Sequence, residues 1–383
     1  MPISLWDGDT IVIIISTILF ATLFMGIGTN RVYNQIISDK TIVAKYKFRF
    51  FEKICIFISF MLIVLVAGLQ ISNSDYEAYK YLYTYEYSHG FNLFQVEFLF
   101  RAINKIVYDY LHEFQFVVLI TTTITNLFMF NNIIYYSLHS KVKPKYVLFL
   151  YLCMYFLVSF GMLRQICAAS IVIYSIRYIY TKKYIKWLIC TFLALSIHAT
   201  AFINFIFLLF AAINIKSKTI KNIYRFIVVI IFYLFAIFSN KILITIGGEL
   251  GRSGYSNYYA VESLGLGNIV YRLPILAFLF VFRKVIEKSP PYVKLFAGFT
   301  LLEALVCFTY YFIPMLGGRL QYYILFGYAI LIPYCMDNIT RRNYQLPISN
   351  FFIYGFGLYY LFNQLLTTEW ITKFLMPIKF FKF

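Results

Sequence analysis

The chain has 383 residues, a mass of 45.2 kDa and a formal net charge of +18. Its residues are 61% hydrophobic and 13% charged, with a mean hydropathy of +0.75, whereas a soluble domain runs near ~45–50% apolar and ~25% charged. So few polar side chains cannot cover a water-soluble domain of this size. Soluble enzymes, nucleic-acid readers and secreted disulfide scaffolds are excluded, and an all-α, polytopic integral membrane protein is expected.

In chain order, the first apolar run, 10–28, follows Asp7 and Asp9. It lacks the basic leader and small-residue cleavage site of a signal peptide and reads as a permanent first span. A spanning helix needs about 20 apolar residues to cross ~30 Å of hydrocarbon. Further runs follow at 54–71, 114–137, 146–163, 165–180, 223–240, 269–282, 292–313, 320–336 and 348–366. The linkers 29–53, 139–145, 180–186, 214–225, 283–294 and 337–347 hold 22 Lys and Arg against four acids, Asp39, Glu52, Glu287 and Asp337. That excess places all six linkers in the cytoplasm. Segment 72–113 has six acids against Lys80, Arg101 and Lys105 and belongs on the periplasmic side, as does the Gly- and Tyr-rich loop 241–268.

The alternation closes only if 185–213 crosses twice. Its halves, 185–197 and 199–213, reach only ~20 and ~22 Å at 1.5 Å per residue. A short broken hairpin is therefore expected, its tip His198 recessed below the outer surface as in helices that line a polar cavity. The sum is about twelve segments in a single transmembrane domain, 1–383, with both termini outside. Lys373, Lys379 and Lys382 run against that parity and suit either an interfacial tail helix or a slip of the parity at the end. Topology thus accounts for the basic charge, and no nucleic-acid partner is called for. Six cysteines stand singly in apolar stretches, and no metal spacing, phosphate loop or nucleophile elbow occurs, so neither metal nor cofactor is expected.

Charges that do not suit lipid collect at the outer ends of spans: Arg164, His198, Arg272 and Arg319. An Arg at membrane depth costs at least ~2.5–3.5 kcal/mol and needs compensation. Arg164, in Gly161-Met162-Leu163-Arg164-Gln165, and Arg319, in Gly317-Gly318-Arg319-Leu320-Gln321, each open an inward helix. Each guanidinium there adds to the positive end of a helix dipole. Arg272, with Pro274 in the first turn of its helix, is placed alike. Three such ends can converge on a polyanion, which guanidinium grips in bidentate fashion; snorkelling to the interface, or pairing with Glu303 or an outer-loop acid, is the simpler alternative. Asp75, directly after the second span, and Glu97 offer carboxylates that could take a proton from a hydroxyl. Glu303 is mid-span and must be protonated or paired. Tyr76, Tyr79, Tyr81, Tyr83, Tyr85 and Tyr87 suit sugar rings, and more readily the membrane interface, where tyrosine is enriched.

The string Asp75-Tyr76…Tyr79…Tyr83, then Val96-Glu97-Phe98-Leu99-Phe100 with Ile103-Asn104, resembles the outer segment of the EpsG-family polysaccharide polymerases. Met162-Leu163-Arg164-Gln165 with Ala168-Ala169, Ile197-His198-Ala199-Thr200-Ala201, and Arg319…Tyr323 ending at Pro333 resemble its later blocks. The blocks run from about 72 to 333. The sequence departs at Ala199, where a second polar residue often follows the histidine.

The resemblance implies a Wzy-type O-antigen, capsular or exopolysaccharide polymerase of a bacterial inner membrane, similar to glycosyltransferases of the GT-C class. It would join repeat units carried on undecaprenyl diphosphate at the periplasmic face, without a metal. On that reading Arg164, Arg319 and Arg272 hold the lipid diphosphate, and Asp75 or His198 is the base. Tyr76, Tyr79, Glu97 and Gln165 then contact sugar and acceptor. Partners would be the lipid-linked glycans, membrane lipid and a chain-length regulator. A lipid-linked oligosaccharide flippase and a polysaccharide O-acyltransferase are the alternatives.

Overall fold

The computed structural model describes residues 8–39, 47–71, 75–89, 97–211, 273–306, 318–340 and 347–367, with isolated positions between 219 and 230 and Phe380. Every named element among them is helical. The expected span 223–240 and its following loop 241–268 fall largely or wholly outside the described residues, and Arg272 lies just beyond them.

Two helices form the centre. On α6 (Pro144–Gly161) and α7 (Leu163–Tyr180) nearly every side chain is buried. Such all-round burial marks the middle of a bundle. Around them stand α1 (Gly8–Asp39), α2 (Phe50–Leu69) and α5 (Gln115–Ser140). Four helices are long and apolar enough to cross a bilayer among the described residues: α1, α2, α5 and α6. The outer faces of α1 and α2 present large apolar side chains such as Phe20, Leu23 and Phe57. Apolar surface on that scale belongs against lipid. This is a helical protein embedded in a membrane.

Polar side chains join the helices inside the bundle. Asn132 Nδ2 donates to the Ser170 carbonyl at 2.9 Å and Tyr136 to Ile173 at 2.8 Å, coupling α5 to α7. In lipid such bonds replace the hydrophobic drive that water would supply. Arg177, an intramembrane cation that the sequence reading passed over, lies 4.0 Å from the ring centroids of both Tyr135 and Tyr174. Its guanidinium donates to Asn131 and Asn132 at 2.7 and 2.8 Å. It sits ~20 Å along α7 from Arg164.

α1 runs eleven residues past its expected end at 28. The physical reason is Arg31, which forms a two-pronged pair with Glu52 at 2.6 and 2.7 Å and so continues the helix alongside the start of α2. Segment 75–113 contributes α3 (Tyr76–His89) and α4 (Phe98–Tyr110), both too short to span. Tyr76, Tyr83, Phe100, Val107 and Phe114 pack as one cluster against the start of α5. Helical periodicity sorts the tyrosine run, with Tyr76 and Tyr83 buried and Tyr81 exposed.

The expected break at His198 is present. α8 (Tyr184–Leu195) ends at Ser196, a 3-10 turn covers Ala199–Phe202, and α9 (Ile203–Ala211) follows. Asn204 of α9 donates to Ser175 of α7 and Thr191 of α8, both at 2.8 Å. Beyond the gap come α10 (Leu273–Val281), the short α11 (Arg283–Glu287) and α12 (Pro291–Val306). The last described helices are α13 (Phe326–Thr340) and α14 (Pro347–Thr367). Glu303 of α12 is fully buried and accepts from Tyr328 of α13 at 2.6 Å, so it is paired as its depth requires.

One expectation is corrected. Arg319 does not open a continuous helix over 320–336. The helical residues 318–320 pass into a 3-10 turn over Gln321–Tyr323, and α13 starts only at Phe326. Side chains have taken the backbone acceptors there: Gln165 donates to the Arg319 carbonyl, and Tyr155 to that of Tyr322 at 2.7 Å. Carbonyls held this way compete with the α-helical ladder.

Candidate functional site

Four chain breaks meet at the end of the α6–α7 pair remote from Lys141–Lys145. They are the start of α4, the corner at Met162, the hairpin tip 196–200 and the turn 318–323. At the corner α6 ends on Gly161 and α7 begins at Leu163, which puts Arg164 in the first turn of α7. Breaks leave N–H and C=O groups that the helices no longer use, so polar side chains gather where they meet.

Glu97, the residue preceding α4, organises the cluster. Its Oε2 accepts from Arg164 Nη1 at 2.6 Å, and its Oε1 accepts from the Ala199 N–H at 3.0 Å. In return the Leu99 N–H donates to the Ser196 carbonyl at 2.7 Å, so α4 and the hairpin tip are clamped from both sides. The pair is largely sequestered, with side chains 15% and 11% exposed. Arg164 also lies against aromatic faces, 5.2 Å from the Tyr79 ring centroid and 5.4 Å from that of Phe100. Its Nε is 3.5 Å from the Tyr79 hydroxyl. Planar guanidinium between rings is fixed in orientation as well as position.

His198 is buried at the hairpin tip. Its Nδ1 accepts from the Thr200 N–H at 3.3 Å and lies 2.7 Å from Thr200 Oγ1. That hydroxyl is 2.9 Å from the hydroxyl of Tyr323, itself buried. An imidazole that accepts through Nδ1 carries its proton on Nε2 when neutral. The guanidiniums of Arg164 and Arg319 both lie close enough to act on the ring electrostatically.

The structure thus brings Arg164, Arg319, His198, Glu97, Gln165 and Tyr79 into one network. Asp75 is partly exposed at the N-terminus of α3, where its carbonyl accepts the Tyr79 N–H at 2.8 Å, one turn from the Arg164 contact. Tyr76 points away from the cluster's bonds, donating its hydroxyl to Gln115 Oε1 at 2.9 Å. Thr200 and Tyr323 were not among the site candidates. Their signal was a hydroxyl two residues from His198 and a tyrosine four after Arg319, which acquire meaning only when the breaks meet. Among the described residues no three His, Cys, Asp or Glu side chains gather as metal ligands.

These features define an integral membrane protein with a sequestered, cation-bearing polar cluster at one end of its helical core. The chain belongs to the EpsG family, whose sequence profile matches residues 53–380. No curated protein and no solved structure matches it. Family membership points to a polysaccharide-polymerase type of activity, of the glycosyl-transfer class.

Proposed function

We propose that the protein is a Wzy-type polymerase that joins oligosaccharide repeat units carried on undecaprenyl diphosphate, at the periplasmic face of a bacterial inner membrane. The observation that carries this reading is the meeting of Arg164, Arg319 and His198 around the Glu97 clamp in a chain of this family. In the reaction the bond between the anomeric carbon of the growing glycan and its diphosphate breaks. A glycosidic bond forms to a hydroxyl of the next lipid-linked unit, whose proton passes to a base. Negative charge builds on the leaving diphosphate, so a cation fixed beforehand, as Arg164 is by Glu97, Tyr79 and Phe100, lowers the barrier as well as binds.

Arg164 and Arg319 are assigned to the diphosphate, with Arg272 as a helper. His198, accepting through Nδ1, is suited to donate from Nε2 to a diphosphate or sugar oxygen. Asp75 is then the proton acceptor. Tyr79 and Gln165 are assigned to sugar contacts. A cavity of about 500 Å³ between α10, α13 and α14, lined by apolar side chains including Ile275, Phe278, Ile332 and Phe356, offers space for part of the isoprenoid chain. The topology that accompanies this reading has about twelve segments, a GT-C-like arrangement and both termini outside.

The test is deletion of the gene in its host, with a complemented control, and display of the surface polysaccharide on a gel. A lost ladder with single repeat units retained is the expected result. Loss of the single unit as well indicates a flippase or earlier step, and an unchanged ladder with altered modification indicates an acyltransferase.

A further inference from the structure

At the opposite end of the bundle a groove of about 630 Å³ lies between α1 and the start of α6, with Tyr354 of α14 on its wall. Its lining is graded along α1. Tyr33, Asn30 and Thr29 stand toward the end of α1 that lies near the start of α6, where Lys143 and Lys145 sit, and Ile27, Leu23 and Leu19 follow. From Tyr33 to Leu19 is ~21 Å of helix. One leaflet contributes about half of the ~30 Å hydrocarbon, so the groove spans one leaflet and its headgroup margin.

The cationic end is built for an anion. Lys143 and Lys145 lie 5.6 and 5.0 Å from the Tyr146 ring centroid. The Lys145 stem rests on Gly26, where an added Cβ would come 3.2 Å from Lys145 Cδ. Among the described residues no acid lines the groove and neither lysine pairs with a carboxylate. One turn from Gly26, Thr22 lines the groove; the residue is 6% exposed and its buried hydroxyl has no hydrogen-bond partner among the described residues. A buried hydroxyl without a partner is costly unless a ligand supplies one.

We propose that this groove binds a phospholipid with a negatively charged headgroup, drawn from the leaflet at the Lys143–Lys145 end. The phosphate lies at the two ammonium groups, a glycerol ester carbonyl accepts from Thr22, and one acyl chain runs along Ile27, Leu23 and Leu19. The site is remote from Arg164 and independent of the polymerase reading.

Purified full-length protein is placed in nanodiscs holding equal phosphatidylglycerol and phosphatidylcholine, and retained lipid is counted by native mass spectrometry. Wild type is expected to retain phosphatidylglycerol in preference. Lys143→Gln with Lys145→Gln should reduce that preference about thirtyfold, from roughly fivefold per basic residue. Leu23→Trp, at a 55% exposed position, fills the groove without changing charge and should also lose the lipid. Equal retention of the two lipids by wild type overturns the proposal. So does a preference that survives Leu23→Trp, which would make it a surface-charge effect outside the groove.

Discussion

Glu97 and Arg164 stand 67 residues apart in sequence and 2.6 Å apart in space, and the same carboxylate also holds the backbone N–H of Ala199. Through one side chain the start of α4, the start of α7 and the hairpin tip are tied together. Removing one partner of a sequestered pair leaves the other desolvated, at a cost of about 3–5 kcal/mol. Arg164→Ala should therefore lower the unfolding midpoint and abolish the polysaccharide ladder. Glu97→Gln keeps an acceptor for Ala199 but drops the charge, so it should unfold later than Arg164→Ala while still losing the ladder. Thermal unfolding in detergent and the gel check both; a normal ladder from well-expressed Arg164→Ala and Arg319→Ala proteins would sink the diphosphate assignment.

The link from His198 through Thr200 to Tyr323 predicts a graded series. His198→Ala should reduce polymerisation by ~10²–10⁴, the span of a lost general acid or base. Thr200→Val removes the hydroxyl that joins the ring to Tyr323 but keeps the backbone donor to Nδ1, so its loss should be smaller. Polymer yield from purified enzyme and lipid-linked units orders the variants; a Thr200→Val defect as deep as that of His198→Ala would place the chemistry on the hydroxyl.

Tyr76 carries a pH signature. Burial, with Glu77 and Glu113 adding, pushes its phenol from 10.0 up to about 12. The unfolded chain therefore releases this proton first as pH rises, so the stability tied to the neutral phenol is complete below pH 10 and lost toward pH 12. Tyr76→Phe should lose about 1–3 kcal/mol at neutral pH, because Gln115 Oε1 is left without its donor. The variant should also show less of the alkaline decline between pH 10 and 12. An unchanged decline, followed by tryptophan fluorescence, would mean that another group dominates there.

At Gly28, α1 approaches the backbone of α2 closely. A Cβ there would fall 2.8 Å from the Glu52 carbonyl oxygen and 2.8 Å from Ile56 Cγ1. The backbone atom cannot swing aside, so Gly28→Ala should force the helices apart and cost about 1–3 kcal/mol. Gly355→Ala is the control, since nothing lies within 4 Å of its Cβ position. Equal unfolding midpoints for the two variants would show that α1 gives way without penalty.

Hydropathy made the four spanning-length helices α1, α2, α5 and α6 legible because each long apolar run carries its own signal, independent of any neighbour. The break at His198 was equally readable, since linker charge and helix rise left no other parity. Boundaries fared less well where a partner decided them. Arg31 extends α1 only because Glu52 of α2 receives it. The helix expected to begin at Arg319 is delayed to Phe326 because Gln165 and Tyr155 take its carbonyls. Arg177 shows the same dependence, its charge being sheltered between Tyr135 and Tyr174 from two different helices.

By itself the sequence determined that this protein lives in a membrane, where its apolar runs fall and which residues are too polar for lipid. Those properties depend on local composition and on the energy of moving single side chains out of water. Only the tertiary structure decided that Glu97 binds both Arg164 and Ala199, that Tyr323 reaches His198 through Thr200, and that Tyr76 turns to Gln115. Each of these contacts joins segments far apart in the chain, and a hydrogen bond of about 3 Å is specified by packing of whole helices, which no local pattern encodes.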